Sequence, residues 1–426
     1  MTEKPVFFDA SGKRAVRISA IGWTVAIVST LVGMYFLASL FVTSPLSGLK
    51  MPGQLVAIKT AALERKAEAP GLVDLAESMA QRLRARRARL AALRRLRNER
   101  RMHALPLSRA MLPRKGRPLS IAFFPSWASA DNVYPALKHA LPKLDAIMPT
   151  WLNLTGPDAT LSTSFNNRLY AYVLRNKPNT AIVPVLQNAS GGTFHGKALA
   201  SLLASPTRRK ALVESVTQFI AVHHLQGICV DFESVPHHSY HDLWLFLAEL
   251  HKQFRSHGWT IAQAAPFDSD TWPFAAYARV IDYTVLMAYD EHTETDNPGA
   301  VAGQGWFESE LDKRMKVLAP SHTIIAIGAY GYDWNKDGTY ELSFQQAMID
   351  AHDAGADVRF DGATNNPHFS YEQNGERHDV WFLDAATAFD DIHAADIYQP
   401  AGYAVWRLGS EDPAVWSVMG RPYGAR

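Results

Sequence analysis

Beyond Pro118, short apolar runs alternate with stretches of helical period, and this alternation constrains the fold more than any other feature of the 426-residue sequence. The runs are Leu119–Phe124, Ala146–Trp151, Thr180–Leu186, Gly227–Phe232, Thr260–Ala265, Tyr283–Ala288, Thr323–Ala329 and Ala404–Leu408. Each has the length of a buried strand, and the intervals suit β-strand–α-helix units. Strands joined through helices pair in parallel, and eight of them predict an α/β fold closed into a (β/α)8 TIM barrel spanning 118–426. The interval before the last run is too long for one helix, and Gln373-Asn374-Gly375-Glu376 inside it carries a hairpin signal. A small α+β insertion at 335–395, between strands seven and eight, is therefore expected.

What precedes the barrel differs in kind. The net charge of +2 hides an asymmetry: residues 1–117 hold 22 Lys and Arg against 7 Asp and Glu, whereas the remainder is acidic. An acidic domain without a basic stripe repels phosphates, which argues against nucleic acid as a partner. From Ile18 to Val42 there are 25 residues without a charge, enough to cross a hydrocarbon layer as a transmembrane helix. The run is longer than the apolar core of a signal peptide and no A-x-A-like cleavage site follows it, so an anchor is expected over a cleaved leader. Lys4, Lys13, Arg14 and Arg17 precede the span and only Lys50 and Lys59 follow closely. That bias sets residues 1–17 in the cytoplasm and the barrel outside the cytoplasmic (inner) membrane, periplasmic or extracellular. The basic cluster Arg82 to Arg101 opposes this, but charges far from the span weigh less.

Residues 43–117 read as a basic helical linker. Within 72–103, Leu72, Leu75, Met79, Leu83, Leu90, Leu93 and Leu96 are interleaved with ten arginines between Pro70 and Pro106. The same pattern suits a solvated stalk or a helix lying on anionic lipid or an acidic partner. The single cysteine, Cys229, excludes an intramolecular disulfide and a cysteine-based metal cluster and leaves the redox compartment open.

Two strand ends deliver carboxylates. In Gly227-Ile228-Cys229-Val230-Asp231-Phe232-Glu233, alternation puts Cys229, Asp231 and Glu233 on one face and Ile228, Val230 and Phe232 on the other. In a barrel the second set packs against helices and the first points inward at the C-terminal mouth, where such folds keep their active sites. Leu286-Met287-Ala288-Tyr289-Asp290-Glu291-His292 brings a hydroxyl and a further acid to the same rim. Tyr330-Gly331-Tyr332-Asp333-Trp334 follows the seventh strand, and Val405-Trp406-Arg407-Leu408-Gly409 lies on the eighth. Carboxylates ringed by aromatic side chains favour a carbohydrate, because rings stack on the apolar faces of sugars.

These segments resemble glycoside hydrolase family 18, whose fourth strand carries Asp-Gly-x-Asp-x-Asp-x-Glu, whose sixth carries Met-x-Tyr-Asp and whose eighth carries a Trp. The likeness extends over about 119–420. It is greatest to the spore-cortex hydrolase-like branch and to the family 18-like domain found with polysaccharide deacetylase and glycosyltransferase modules. The resemblance implies that Glu233 is the general acid and that Asp231 orients the substrate's 2-acetamido group, whose oxygen attacks the anomeric carbon. It implies that Tyr289 bonds that carbonyl and that Trp406 floors the sugar subsite. Asp290, Met287, Gln187, Asn188, Tyr330 and Trp334 are expected around the substrate, an N-acetylglucosamine-containing glycan. No cofactor and no metal is expected.

The sequence departs from the family at Gln226, which stands at the first motif Asp, and at Cys229, which stands at the second. A neutral thiol cannot share a proton with Asp231, so two activities remain: a hydrolase with a modified site, or a non-hydrolytic glycan-binding scaffold of a polysaccharide synthesis or export system. A nucleophilic role for Cys229 is disfavoured, since neighbouring carboxylates raise a thiol pKa. Gly191-Gly192-Thr193-Phe194-His195-Gly196-Lys197-Ala198 nearly matches a phosphate-binding loop but lacks the Ser or Thr after Lys197. His237, His238 and His241 are better read as a polar loop opening a helix at Leu243, with Ser239 and Asp242 forming a capping box.

Overall fold

The computed structural model describes residues 111–113 and 116–423. The segment 1–17, the expected membrane helix at 18–42 and the basic helix at 72–103 lie outside them. Among the described residues no helix is long and apolar enough to cross a membrane.

Eight parallel strands form the barrel: β1 Leu119–Phe124, β2 Ala146–Thr155, β3 in two pieces (Ala181–Ile182 and Val185–Gln187), β4 Gly227–Asp231, β5 Thr260–Pro266, β6 Tyr283–Ala288, β7 Thr323–Gly328 and β8 Gly402–Trp406. Each pairs with its sequence neighbour, and β1 pairs with both β2 and β8, which closes the ring. Period-two alternation divides the core as the sequence predicts. Ile121, Phe123, Met148, Val185, Cys229, Ala262, Val285 and Ala404 fill the interior, while Phe124, Ile147, Ile228, Val230, Phe232 and Leu286 meet the surrounding helices.

Local chemistry explains where the strands deviate from expectation. β3 breaks around Pro184, which has no N–H to give to the ladder, although its carbonyl still accepts Cys229 N at 2.8 Å. β8 begins at Gly402, before the expected Ala404, where β1 passes so near that a side chain would lie 2.6 Å from Leu119 Cβ. The helix after β4 starts at Tyr240, ahead of Leu243. Ser239 sits at its N-cap position, but its side chain makes no capping bond, so the expected capping box is not formed.

The segment between β7 and β8 folds into a five-stranded antiparallel sheet, Gly331–Asn335, Gly338–Leu342, Arg359–Asp361, Asn366–Gln373 and Glu376–Phe382, with the helix Phe344–Ala354 on one face. Asn374 and Gly375 make the two-residue turn with φ of 55° and 80°, the left-handed pair a tight hairpin requires. The insertion is therefore displaced from 335–395. Its sheet begins at Gly331, and the helix Ala385–Ala395 packs against Gln304–Met315 in the barrel's outer ring. A second hairpin, Ala189–Ser190 with Thr193–Phe194, turns through Gly191 and Gly192 at φ of 57° and 78°. The near-match to a phosphate-binding loop is this turn.

The barrel floor recruits residues ahead of 118. Met111 is 2% exposed in the interior cluster, and its carbonyl accepts the Tyr283 hydroxyl. Arg117 Nη2 lies 2.6 Å from Asp145 Oδ1, while Asp145 Oδ2 accepts Ser120 N at 2.9 Å.

Candidate active site

β4 and β3 build the centre of the mouth together. Their register sets Gln187 level with Asp231, and Gln187 Nε2 donates to Asp231 Oδ2 at 2.8 Å. Asp231 is 4% exposed, and its other oxygen, Oδ1, is buried with no hydrogen-bond partner among the described residues. One residue further along each chain, Asn188 Nδ2 donates to the Glu233 carbonyl and Glu233 N donates to Asn188 Oδ1, both at 2.9 Å. Gln187 thus holds a carboxylate and Asn188 holds the backbone that carries the next one. Sequence alone expected both at the substrate; in the structure the Gln187 amide bonds the Asp231 carboxylate and the Asn188 amide bonds the Glu233 backbone. Cys229 is fully buried beneath Asp231, and burial followed by the Asp231 charge pushes its thiol up, so it stays neutral. Gln226 lies at the other end of β4, where its Oε1 accepts Ile182 N at 2.8 Å and so ties β4 to β3.

The electrostatics follow from crowding acids in a low-dielectric space. Burial raises the Glu233 carboxyl well above the usual range, and Asp231 and then Asp290 add to it. Asp231 is raised by burial but held back by the Gln187 amide, which favours its charged form. The proton therefore resides on Glu233 and the charge on Asp231. Tyr289, buried beside them, keeps its hydroxyl proton, chiefly through burial and then through the charges of Asp231, Asp290 and Glu233.

Asp290 leaves β6 in the left-handed region at φ 67°, and both Tyr330 and Tyr332 donate to its Oδ1, Tyr332 at 3.0 Å. Met287 is half-buried against the interior cluster. Trp406 is half-buried at the end of β8, edge-on to Phe123 at 5.2 Å. Tyr330 and Trp334, 2% and 5% exposed, sit behind the rim: Tyr330 contacts Tyr289 edge-on, and Trp334 packs on Tyr332. Tyr330 thus reaches Asp290 directly, and Trp334 only through Tyr332. Sequence reasoning did not single out Tyr332, whose signal was its alternation with Tyr330 on one face, or Trp127 on the loop after β1, which carries none. His237 and His241 stack on Tyr240 and Trp244.

The sequence model of Glycosyl hydrolases family 18 matches residues 120–411, the whole span from β1 past β8. The chain belongs to this family. It is accordingly a glycosidase, and Glu233, Asp231, Tyr289 and Trp406 fall at the strand ends where the family motifs were recognised. An uncharacterized glycosylase of Bacillus subtilis, YvbX, is 26% identical over 263 residues, or 58% of this chain and 76% of that protein. The cortical fragment-lytic enzyme of Bacillus anthracis is 24% identical over 57% of this chain and 60% of its own length. The chain thus spans about three quarters of the first relative and less than two thirds of the second. A chitinase from Chromobacterium violaceum superposes with a TM-score of 0.65 at 23% identity, covering 72% of this chain and all of that one, a likeness of fold.

Proposed function

We propose that this family 18 glycosidase cleaves β-linked N-acetylglucosamine-containing polysaccharide (chitin, peptidoglycan or an exopolysaccharide) by substrate-assisted, retaining catalysis. One observation carries the reading: Asp231 has one oxygen fixed by Gln187 and the other buried without a partner among the described residues. A buried acceptor without a donor is costly, and a 2-acetamido N–H supplies the donor. So bound, the acetamide turns its carbonyl oxygen toward the anomeric carbon, with the Tyr289 hydroxyl as a donor to that oxygen. Glu233 then gives its proton to the glycosidic oxygen, and the leaving chain departs as the acetamide oxygen bonds to the anomeric carbon and closes an oxazolinium ion. Water, deprotonated by the same Glu233, opens the oxazolinium ion with net retention. Trp406 floors the reacting sugar. The names of the relatives, a chitinase and cortical fragment-lytic enzymes, support an amino-sugar polymer.

We further propose that residues 18–42 anchor the protein in the cytoplasmic membrane with the barrel outside, supported by the uncharged run and the basic residues before it. Protease added to spheroplasts should then remove the barrel. For the chemistry, products from a panel of N-acetylglucosamine polymers should be read by mass spectrometry and their anomeric form by NMR. Inverted product would sink the substrate-assisted route, and no turnover on any such polymer would sink the substrate assignment.

A further inference from the structure

The hairpin Ala189–Ser190 with Thr193–Phe194 follows β3 directly, and its far end is fastened back to its root. His195 N donates to the Asn188 carbonyl at 2.8 Å, and Ser190 Oγ lies 2.7 Å from His195 Nε2, a hydrogen bond between the two side chains. His195 occupies the N-cap position of the helix Gly196–Leu203, yet its ring makes no capping bond there. The ring is turned to the hairpin instead. Gly191, Gly192 and Thr193 at the tip are exposed, so the turn gains little from burial and keeps its shape through hydrogen bonds.

Asn188 passes this geometry on. Its carbonyl is held by His195, while its side-chain amide makes both bonds to the Glu233 backbone. A rotation of Asn188 would break that pair, and the His195 lock opposes the rotation. The start of the helix abuts the same place: a Cβ at Gly196 would lie 1.9 Å from the Ser234 carbonyl oxygen, so only glycine lets the backbone rest against the residue after Glu233. Ser234 is itself held in the left-handed region at φ 53°. Building on the reading of Glu233 as the acid, we infer that His195 is a positioning residue for it: bonded to Ser190 and to the Asn188 carbonyl, it fixes the rotation of Asn188 and so the direction in which the Glu233 carboxyl points. The glycines that resemble a phosphate-binding loop make a turn tight enough for residues 190 and 195 to meet.

The test compares full-length wild type with Ser190→Ala, His195→Ala and His195→Gln, whose amide nitrogen can take the place of Nε2. On a β-1,4-linked N-acetylglucosamine hexamer, each alanine variant should lose about 3- to 10-fold in kcat, the weight of one neutral hydrogen bond, with KM nearly unmoved. The double alanine variant should lose no more than either single one, because both remove the same bond. The alkaline limb of the pH–rate profile should move downward in the alanine variants, since a Glu233 free to swing from Asp231 and Asp290 is less crowded by their charge. His195→Gln should restore both. A loss confined to KM, or an unmoved limb, overturns the inference. Hydrogen exchange at the Glu233 amide needs no turnover: it should quicken in the alanine variants and return in His195→Gln, while the amides of β6 keep their rates. If no N-acetylglucosamine polymer is cleaved but exchange responds in this way, the catalytic assignment fails and the positioning stands. Exchange that quickens across the whole barrel, or nowhere, overturns the positioning whatever the activity.

Discussion

Gln187 and Asp231 occupy paired positions on adjacent strands, and the amide of one donates to the carboxylate of the other over 2.8 Å. The thiol of Cys229 lies where the family motif places a second carboxylate. Orientation of Asp231 thus comes from the neighbouring strand, through a group that has no proton to exchange. Gln187→Met keeps the volume and removes the donor. It should lower kcat by about 10-fold or more, the weight of one hydrogen bond to a charged group. Because the lost bond favoured the ionised form, the acidic limb of the pH–rate profile should move upward. A fall in kcat with an unmoved limb would mean that Gln187 only packs.

On the proposed route, activity needs Asp231 ionised and Glu233 protonated. Asp231 is pushed up by burial, so rate falls as pH drops through its raised value. Glu233 is pushed up further, by burial and by Asp231, so rate falls as pH rises through its own. The profile should be a bell whose two limbs belong to the coupled pair. Glu233→Gln should cut kcat by about 10² to 10⁴ and abolish the alkaline limb while leaving substrate affinity nearly unchanged. Robust turnover in this variant would place the acid elsewhere.

Cys229→Asp restores the proton-sharing partner. Two carboxyls so close cannot both ionise, so the upper pKa of the pair should rise, and kcat should hold or increase. A folded variant with kcat reduced more than about 10-fold would show that the thiol serves packing in a way a carboxyl cannot.

Asp391, on the helix Ala385–Ala395, is fully buried, and neither of its oxygens has a hydrogen-bond partner among the described residues. Burial, then Asp390 and Glu308, hold its pKa well above the unfolded value of 3.8. The fold binds its proton more tightly than the unfolded chain, so this group's contribution to stability is fully present below pH 3.8 and is lost as pH rises from there through the folded value. Asp391→Asn should flatten that decline and stabilise the protein at neutral pH by about 1–3 kcal/mol, read from denaturant midpoints at several pH values. An unchanged pH dependence would refute this.

Much of this was legible because buried strands announce themselves. The bounds of β1 and β6 follow directly from their apolar runs, and alternation alone put Asp231 inward and Phe232 outward. Asn374-Gly375 located the insertion, since few pairs tolerate two left-handed residues in succession. Its start at Gly331 was hidden, because Tyr330 to Trp334 continues straight on from a barrel strand. Register was hidden too. Nothing in the order of residues says that Gln187 faces Asp231. That Trp334 is 5% exposed and packs on Tyr332 was hidden in the same way, since an aromatic residue after a strand gives no sign of its neighbours. Trp127 stands alone in its loop and forms no periodic pattern.

The floor yields a further prediction. Removal of residues 1–117 deletes Met111 and Arg117, whereas removal of 1–110 keeps both. The shorter protein should be less stable by about 2–5 kcal/mol, the usual cost of emptying a core site of that size. Equal melting temperatures for the two would mean that Met111 contributes nothing to the barrel.

That same floor fixes the polarity of the molecule. The described residues begin at the pole marked by Met111 and Tyr283, and the acids gather at the opposite pole, where the strands end. A glycan strand lying across the mouth therefore meets no part of that floor.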